Sequence, residues 1–587
     1  MDDSVTLRVW APGASTMEVL INDRRYPMER EQPGSDDRGY WTLGGMPIAD
    51  GDRYAFSIDG GPLRPDPRSR HQPDGVHAPS QWIVRAPAAI PAGYTPPPWE
   101  AAIVYELHIG TFSPDATFDG AIDHLDDLVA LGVTYVDVMP VASASGSRGW
   151  GYDGAALYSV NEAYGGPDGL LRFVAACHER GLAVLVDVVY NHLGPEGNYL
   201  GEFGPYFTDA YRTPWGSAIN LDGPGSDEVR RFLIDNARQW MRDYGCDGLR
   251  IDAVHALYDH TAYHFLEELA VETGRLSMEV GRSLVLVAES DSNDPRVVTP
   301  RAYGGFGIDA QWSDDFHHAL HVALTGEQHG YYAGFTGIDD LATSLREVYV
   351  HAGDHARSRG RRHGRPVGNL PGQRFLAYSQ NHDQVGNRGR GERLCHLVDA
   401  ERAKIAAALT ILSPMVPMLF QGEEWAASTP FLYFTDHGDP ALAQAVRDGR
   451  RREFSGFGVT PEEVPDPQER DTFRASVLDW AERSAPGHAE ILSWYRALLA
   501  LRRDNPDLRY PDRARASVTC DPLEGWILLR RGTVYVYAAF DDGPVSLPVA
   551  VDRTPLLLST HARCEPDTLF FDGPGVAVLT RYAPVTP

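Results

Sequence analysis

Eight short apolar runs, separated by stretches of helical periodicity, constrain this chain more than any other feature. They fall at 102–108, 134–139, 182–188, 247–252, 284–289, 308–312, 375–380 and 417–421. Short runs of this kind read as strands covered on both faces, the habit of parallel sheets. Helical patterns lie between them, among them Gly120 to Leu131, Gly169 to Arg180 and Ser226 to Tyr244. Eight alternating units fit a closed (β/α)8 barrel better than an open sheet.

Four of these runs carry or lead into polar motifs: Asp187-Val188-Val189-Tyr190-Asn191-His192, Gly248-Leu249-Arg250-Ile251-Asp252, Ala288-Glu289-Ser290 and Asn381-His382-Asp383-Gln384. A barrel keeps its chemistry at the C-terminal ends of its strands, so Asp252, Glu289 and Asp383 are expected in one pocket. Two carboxylates suffice to cleave a glycosidic bond. Arg250 and Asp252 are two apart on a strand and share a face. The guanidinium favours the ionised carboxylate, as a nucleophile requires. Glu289 is the expected acid, and its pKa must then lie above that of a free glutamate. Two charges about 5 Å apart at an effective dielectric of about 20 repel by roughly 3 kcal/mol, about two pKa units, so Asp252 alone could supply the shift. Once Asp252 becomes a glycosyl ester that repulsion vanishes, and Glu289 can take a proton from water.

The order and wording of the four motifs resemble the alpha-amylase superfamily, glycoside hydrolase family 13. The resemblance implies that Asp383 grips sugar hydroxyls near the anomeric centre and that His192 and His382 bond the same sugar. It implies that Tyr152, in Trp150-Gly151-Tyr152-Asp153, stacks on a glucose ring, and that His255 touches the leaving-group side. Asp187 would support Arg250. Wording outside the four regions resembles the branch of the family that hydrolyses maltooligosyltrehalose next to its terminal trehalose: Phe207-Thr208-Asp209 through Thr213-Pro214-Trp215-Gly216, Asp309 to His318, and Phe420-Gln421-Gly422-Glu423-Glu424-Trp425. On this footing the substrates are maltooligosyltrehalose and α-glucan oligosaccharides, and a maltooligosyltrehalose synthase acts in the same pathway. Trp215, Trp312, Asp315 and Glu424 are the candidates for reading the trehalose linkage. The alternatives are a 1,4-α-glucan branching enzyme, a general α-glucan hydrolase, or a catalytically dead binding subunit, though all three acids are present.

The remainder of the chain reads as two small β units. Short strands at Val5–Trp10, Thr16–Ile21, Gly39–Leu43 and Arg53–Ile58 suggest an N-terminal immunoglobulin-like sandwich. A stiff Pro-rich boundary follows at Ile90 to Trp99. His488 to Arg503 is amphipathic and would be the last barrel helix. Strands return from about 510, at Gly525–Arg530, Thr533–Ala539, Pro555–Leu558 and Val576–Leu579, as a C-terminal β-sandwich. The expected division is 1–90, 91–508 and 509–587, a multidomain chain with a central TIM barrel. Gly353 to Gly372, rich in Arg, Gly and His, is expected as a solvated excursion, with a substrate lid as the other reading.

A net charge of -28 argues against nucleic acid or an anionic membrane as partner. Five scattered cysteines, with no metal-type spacing, fit reduced thiols in a cytoplasm. No signal peptide or membrane span is expected, no cofactor is implied, and no regular calcium-ligand spacing appears.

Overall fold

The computed structural model describes residues 5–31, 38–46, 48–455, 460 and 463–581. Its centre is a closed barrel of eight parallel strands in sequence order. They are β1 (Val104–Leu107), β2 (Tyr135–Val138), β3 (Ala183–Val188), β4 (Gly248–Ile251), β5 (Val285–Ala288), β6 (Ala310–Trp312), β7 (Phe375–Ala377) and β8 (Val416–Phe420). Each lies within or against one of the eight apolar runs; the run ends extend beyond the strands into the loops.

Alternation along each strand divides the apolar residues between two layers. Val104, Tyr135, Leu185, Val287, Trp312, Leu376 and Met418 fill the barrel interior. Their neighbours Tyr105, Val136, Val184, Leu249, Ile251 and Leu286 pack outward against the helices. Both faces are therefore apolar, which is why the runs show no alternation. The same parity turns Glu106, Asp137, Asp187, Arg250, Asp252 and Glu289 inward toward the barrel axis. Strand register sets Asp187 beside Arg250 and Arg250 beside Val287. Gly248 permits the close approach of β4 to β5, since a Cβ there would meet the Val285 carbonyl oxygen at 2.1 Å.

The expected helix over 120–131 is two short ones, Phe118–Ile122 and Leu125–Leu131, and the last barrel helix runs Pro486–Asp504. The Pro-rich stretch is not a free spacer. It lies across the N-terminal end of the barrel: Tyr94 donates to Asp247 at 3.0 Å, Tyr135 to the Pro97 carbonyl at 2.6 Å, and Trp99 to the Gln373 carbonyl at 2.9 Å.

Among the described residues, the N-terminal region forms a three-stranded and a five-stranded antiparallel sheet, and the C-terminal region another five-stranded and three-stranded pair. The C-terminal pair shares a core of Tyr537, Leu547, Leu569, Phe571 and Leu579. No helix among the described residues is long and apolar enough to cross a membrane.

Candidate active site

Arg250 organises the C-terminal mouth of the barrel. It is fully buried. Its Nη1 donates to Asp187 at 2.6 Å and to Asp252 at 2.8 Å, and its Nη2 lies 2.8 Å from Glu289 Oε2. One guanidinium thus joins three carboxylates from three strands. Its Cζ rests 4.3 Å from the ring centroid of Trp312.

Asp252 also accepts from the Asn191 amide at 2.6 Å. Burial pushes its pKa up, but Arg250, His192 and Asn191 outweigh burial and hold the carboxyl below its ordinary range. Glu289 is raised well above the usual glutamate value. Burial is the leading cause, Arg250 opposes it, and the charges of Asp252 and Asp383 add to it. Asp252 does push Glu289 up, but it is not the sole source of the shift: removal from water comes first. Ala253 adopts a left-handed backbone, φ 38°, and this turn directs its N–H to Glu289 Oε2 at 2.8 Å. A non-glycine residue held in this region next to an expected nucleophile is strain stored at a site.

His382 follows β7 and stands over Tyr152, ring centroids 5.0 Å apart and 18° from parallel. Its Nδ1 lies 2.6 Å from Glu106 Oε1, its backbone N–H donates to Glu106 Oε2 at 2.8 Å, and its Nε2 faces Asp383 at 3.5 Å. Burial lowers its pKa, yet Asp383 and Glu106 raise it overall to about 9, so the ring is a cation at neutral pH. Tyr152 donates to Asp187 at 2.6 Å. Asp187, buried among Arg250, Asp252 and Tyr152, is pushed up to about 6, chiefly by burial. His192 bonds the Tyr152 carbonyl at 3.0 Å and stacks on Trp215, centroids 4.4 Å and 6° apart. Trp215 stands at the tip of a hairpin, Phe207–Thr213 with Gly216–Ile219, and is 51% exposed. Its outer face is open to a sugar.

The structure brings Asp252, Glu289, Asp383, Arg250, Tyr152, His192, His382 and Asp187 together, with Trp215 and His255 at the rim. Of the candidates for the trehalose linkage, Trp312 and Glu424 do not stand free in the pocket, and Asp315 is held by its neighbours. Trp312 is buried in the barrel beneath Arg250. Asp315 is buried, and its Oδ2 accepts from Asn293, Val350 and His351 at 2.9, 2.7 and 3.0 Å, which ties a loop down. Glu424 is buried behind the barrel wall, accepting at 3.0 Å from the outward-facing Tyr105.

Sequence reasoning missed Glu106, although a lone acid inside the apolar run Val104-Tyr105-Glu106-Leu107 was its signal. It also missed a cavity of about 350 Å³ beyond Glu289, although the candidate Asp315 lines it together with Asp291, Asp314, His318, Tyr331 and Arg359. Asp314 there is pushed up to about 7, mainly by burial. Asp291 pairs with Arg359 at 3.1 Å and with His255 at 3.7 Å. Arg359 belongs to the 353–372 stretch. Most of that stretch is exposed, as the solvated reading expects, while Ala356, His363 and Val367 are buried and Ser358 and Arg359 line the cavity.

A family model for the alpha amylase catalytic domain matches residues 103–212. A Salmonella typhimurium protein named for the alpha amylases has a crystal structure that superposes with a TM-score of 0.89, at 36% identity, covering 98% of each chain. With the closed barrel and the acids at its mouth, these findings define the class as an alpha-amylase-type glycosidase. The malto-oligosyltrehalose trehalohydrolase of Mycobacterium tuberculosis is 48% identical over 552 residues, 92% of this chain and 94% of the relative. That of Rhizobium sp. (strain M-11) is 46% identical over 562 residues, 94% and 93%. The chain belongs to the malto-oligosyltrehalose trehalohydrolase family. A 1,4-alpha-glucan branching enzyme of Bacillus cereus is 29% identical over 345 residues, only 53% of this chain.

Proposed function

We propose that this chain is a retaining glycoside hydrolase that cleaves the α-1,4-glucosidic bond next to the terminal trehalose of maltooligosyltrehalose, releasing trehalose and a shortened maltooligosaccharide. The observation that carries the chemistry is the single guanidinium of Arg250 set 2.8 Å from both Asp252 and Glu289. Two carboxylates on one guanidinium are compatible with the roughly 5 Å separation of a retaining pair and leave little room for the water of an inverting one. Asp252, held ionised, attacks the anomeric carbon. Glu289, held protonated, donates to the departing oxygen and afterwards draws the proton from water. Asp383, the His382 cation and Tyr152 hold the ring at which oxocarbenium character develops.

The leaving group departs on the side of its acid. The chain runs from Glu289 directly to Asp291, and the cavity of about 350 Å³ opens there. That volume lies in the range of about 300–1,000 Å³ usual for small-molecule sites. Its polar lining of Asp291, Asp314, His318 and Arg359, with Tyr331 and Phe335, suits a hydroxyl-rich disaccharide with an apolar ring face. We assign the trehalose unit to it, with the 353–372 stretch as its cover and His255 at its rim.

With this reading go the domain division 1–90, 91–508 and 509–587, a cytoplasmic location, which the five free cysteines support, and a maltooligosyltrehalose synthase that makes the substrate. The test is product analysis. Trehalose should leave maltooligosyltrehalose much faster than maltose leaves a plain maltooligosaccharide of equal length. The bond presented to Asp252 and Glu289 is the same in both, so the preference must come from the leaving side. Equal rates would return the chain to the general α-glucan hydrolases. Iodine-staining changes in amylose without new reducing ends would favour the branching reaction.

A further inference from the structure

Asp383 is held more loosely than the other two acids. Asp252 accepts from Arg250 and Asn191, and Glu289 from a backbone N–H. The Asp383 side chain is 35% exposed, with His382 Nε2 3.5 Å from its Oδ2. Its Oδ1 accepts from the Asn387 Nδ2 amide at 3.1 Å. Asn387 ends the helix His382–Gly386, whose first turn contains Asp383, and its own N–H donates to the Asp383 carbonyl at 2.9 Å.

A primary amide can turn either end toward a neighbour, but a carboxylate can bond only its NH2 end. Arg450 decides which end it meets. Arg450 sits on the helix Pro440–Ser455, in the segment after β8, a region to which the reading so far gives no role. Its Nη1 donates to Asn387 Oδ1 at 2.9 Å, and its Nη2 to the Gly386 carbonyl at 2.9 Å. Its Cζ lies over the rings of Tyr433 and Phe454, at 4.5 and 4.8 Å. A guanidinium has donors and no acceptor, so it must meet the amide oxygen. The NH2 group is thereby left to Asp383. A direct ion pair would have engaged the carboxylate that has to grip the sugar; an amide placed between them steadies Oδ1 and leaves Oδ2 to the substrate.

We propose that Asn387 is a positioning residue for Asp383, and that Arg450 acts through it by fixing the orientation of its amide. The proposal rests on the reading of Asp383 given above. The experiment measures kcat and KM for trehalose release, together with Tm, for Asn387→Ala, Arg450→Ala, Arg450→Lys, the double alanine variant and Asp383→Asn. Losing a hydrogen bond to a charged group should lower kcat of Asn387→Ala about 10- to 100-fold, with KM little changed. Arg450→Ala should lose less, and Arg450→Lys should recover part of it, because an ammonium also only donates. The double variant should be no slower than Asn387→Ala, the signature of one shared path. If Asn387→Ala does not fold, the near-isosteric and uncharged Asn387→Leu removes the donor to Asp383 and should show the same fall in kcat.

Equal losses from Arg450→Ala in the wild-type and Asn387→Ala backgrounds would overturn the relay. So would a wild-type kcat per folded molecule with only Tm reduced, which is a structural role. An inactive Asp383→Asn beside fully active Asn387 and Arg450 variants sinks this proposal alone. Full activity of Asp383→Asn overturns the reading of Asp383 and the relay with it.

Discussion

Replacing Glu106 by Gln tests whether His382 works as a cation. The two side chains meet at 2.6 Å inside the barrel mouth, and Glu106 also accepts the His382 backbone N–H at 2.8 Å. Burial alone would keep the ring neutral, but Asp383 and Glu106 raise its pKa from the ordinary 6.5 to about 9. At about 1.4 kcal/mol per pKa unit, that rise is worth roughly 3 kcal/mol in favour of the charged ring. A raised histidine pKa contributes stability that is fully present below about pH 6.5 and is lost as pH climbs through about 9. Gln keeps the shape and one acceptor but not the charge, leaving only Asp383 against burial. Wild type should therefore out-melt Glu106→Gln most at pH 6, and the gap should narrow steadily toward pH 10, where the ring is neutral in both. Differential scanning fluorimetry at constant ionic strength reads this directly. A gap that does not change between pH 6 and pH 10 would falsify the charged pair.

Two substitutions test the acids themselves. Asp252→Ala should cut turnover more than about 1,000-fold while fold and glucan binding persist, because Arg250 still pairs with Asp187 and Glu289; a variant keeping a tenth of the rate removes Asp252 from the nucleophile role. Glu289→Gln should slow the natural substrate about 100- to 10,000-fold but a glycosyl fluoride far less, because fluoride leaves without a proton; equal losses on both substrates show that another group is the acid.

The barrel was legible because strands covered on both faces leave uninterrupted apolar runs, and the acids because side-chain parity sets Asp187, Arg250, Asp252 and Glu289 on the inner face. Depth was not legible. Trp312 shares that inward parity, but it is buried under Arg250 in the barrel interior. Glu424 follows Gly422, whose φ of 84° ends the alternation of β8, so its direction could not be counted from the strand. The 353–372 stretch was legible in its exposure but not in its contact with the site: its arginines are exposed, and only the structure supplies Asp291 as a partner for Arg359. Glu106 was overlooked because its partner His382 lies 276 residues further along the chain, and only barrel closure brings them together.

In the proposed mechanism, distance from Arg250 does not by itself divide the labour between Asp252 and Glu289, since it stands 2.8 Å from each, although only Asp252 accepts a hydrogen bond from it. The division comes from what differs around them. Asn191 and His192 side with the ionised form of Asp252 and tip it below its ordinary range, although it too is buried. Glu289 has the Ala253 N–H as its other donor, and its burial, with the charges of Asp252 and Asp383, prevails over Arg250. When Asp252 becomes an ester, only its own part of that push disappears; burial and Asp383 remain. The guanidinium does not disappear either. With Asp252 neutral, its charge is shared by Asp187 and Glu289 alone, and that favours the Glu289 carboxylate needed to take a proton from water. Arg250 already favours the Asp252 carboxylate in the free enzyme and turns to Glu289 in the proposed intermediate, so one fixed cation serves both halves of the reaction.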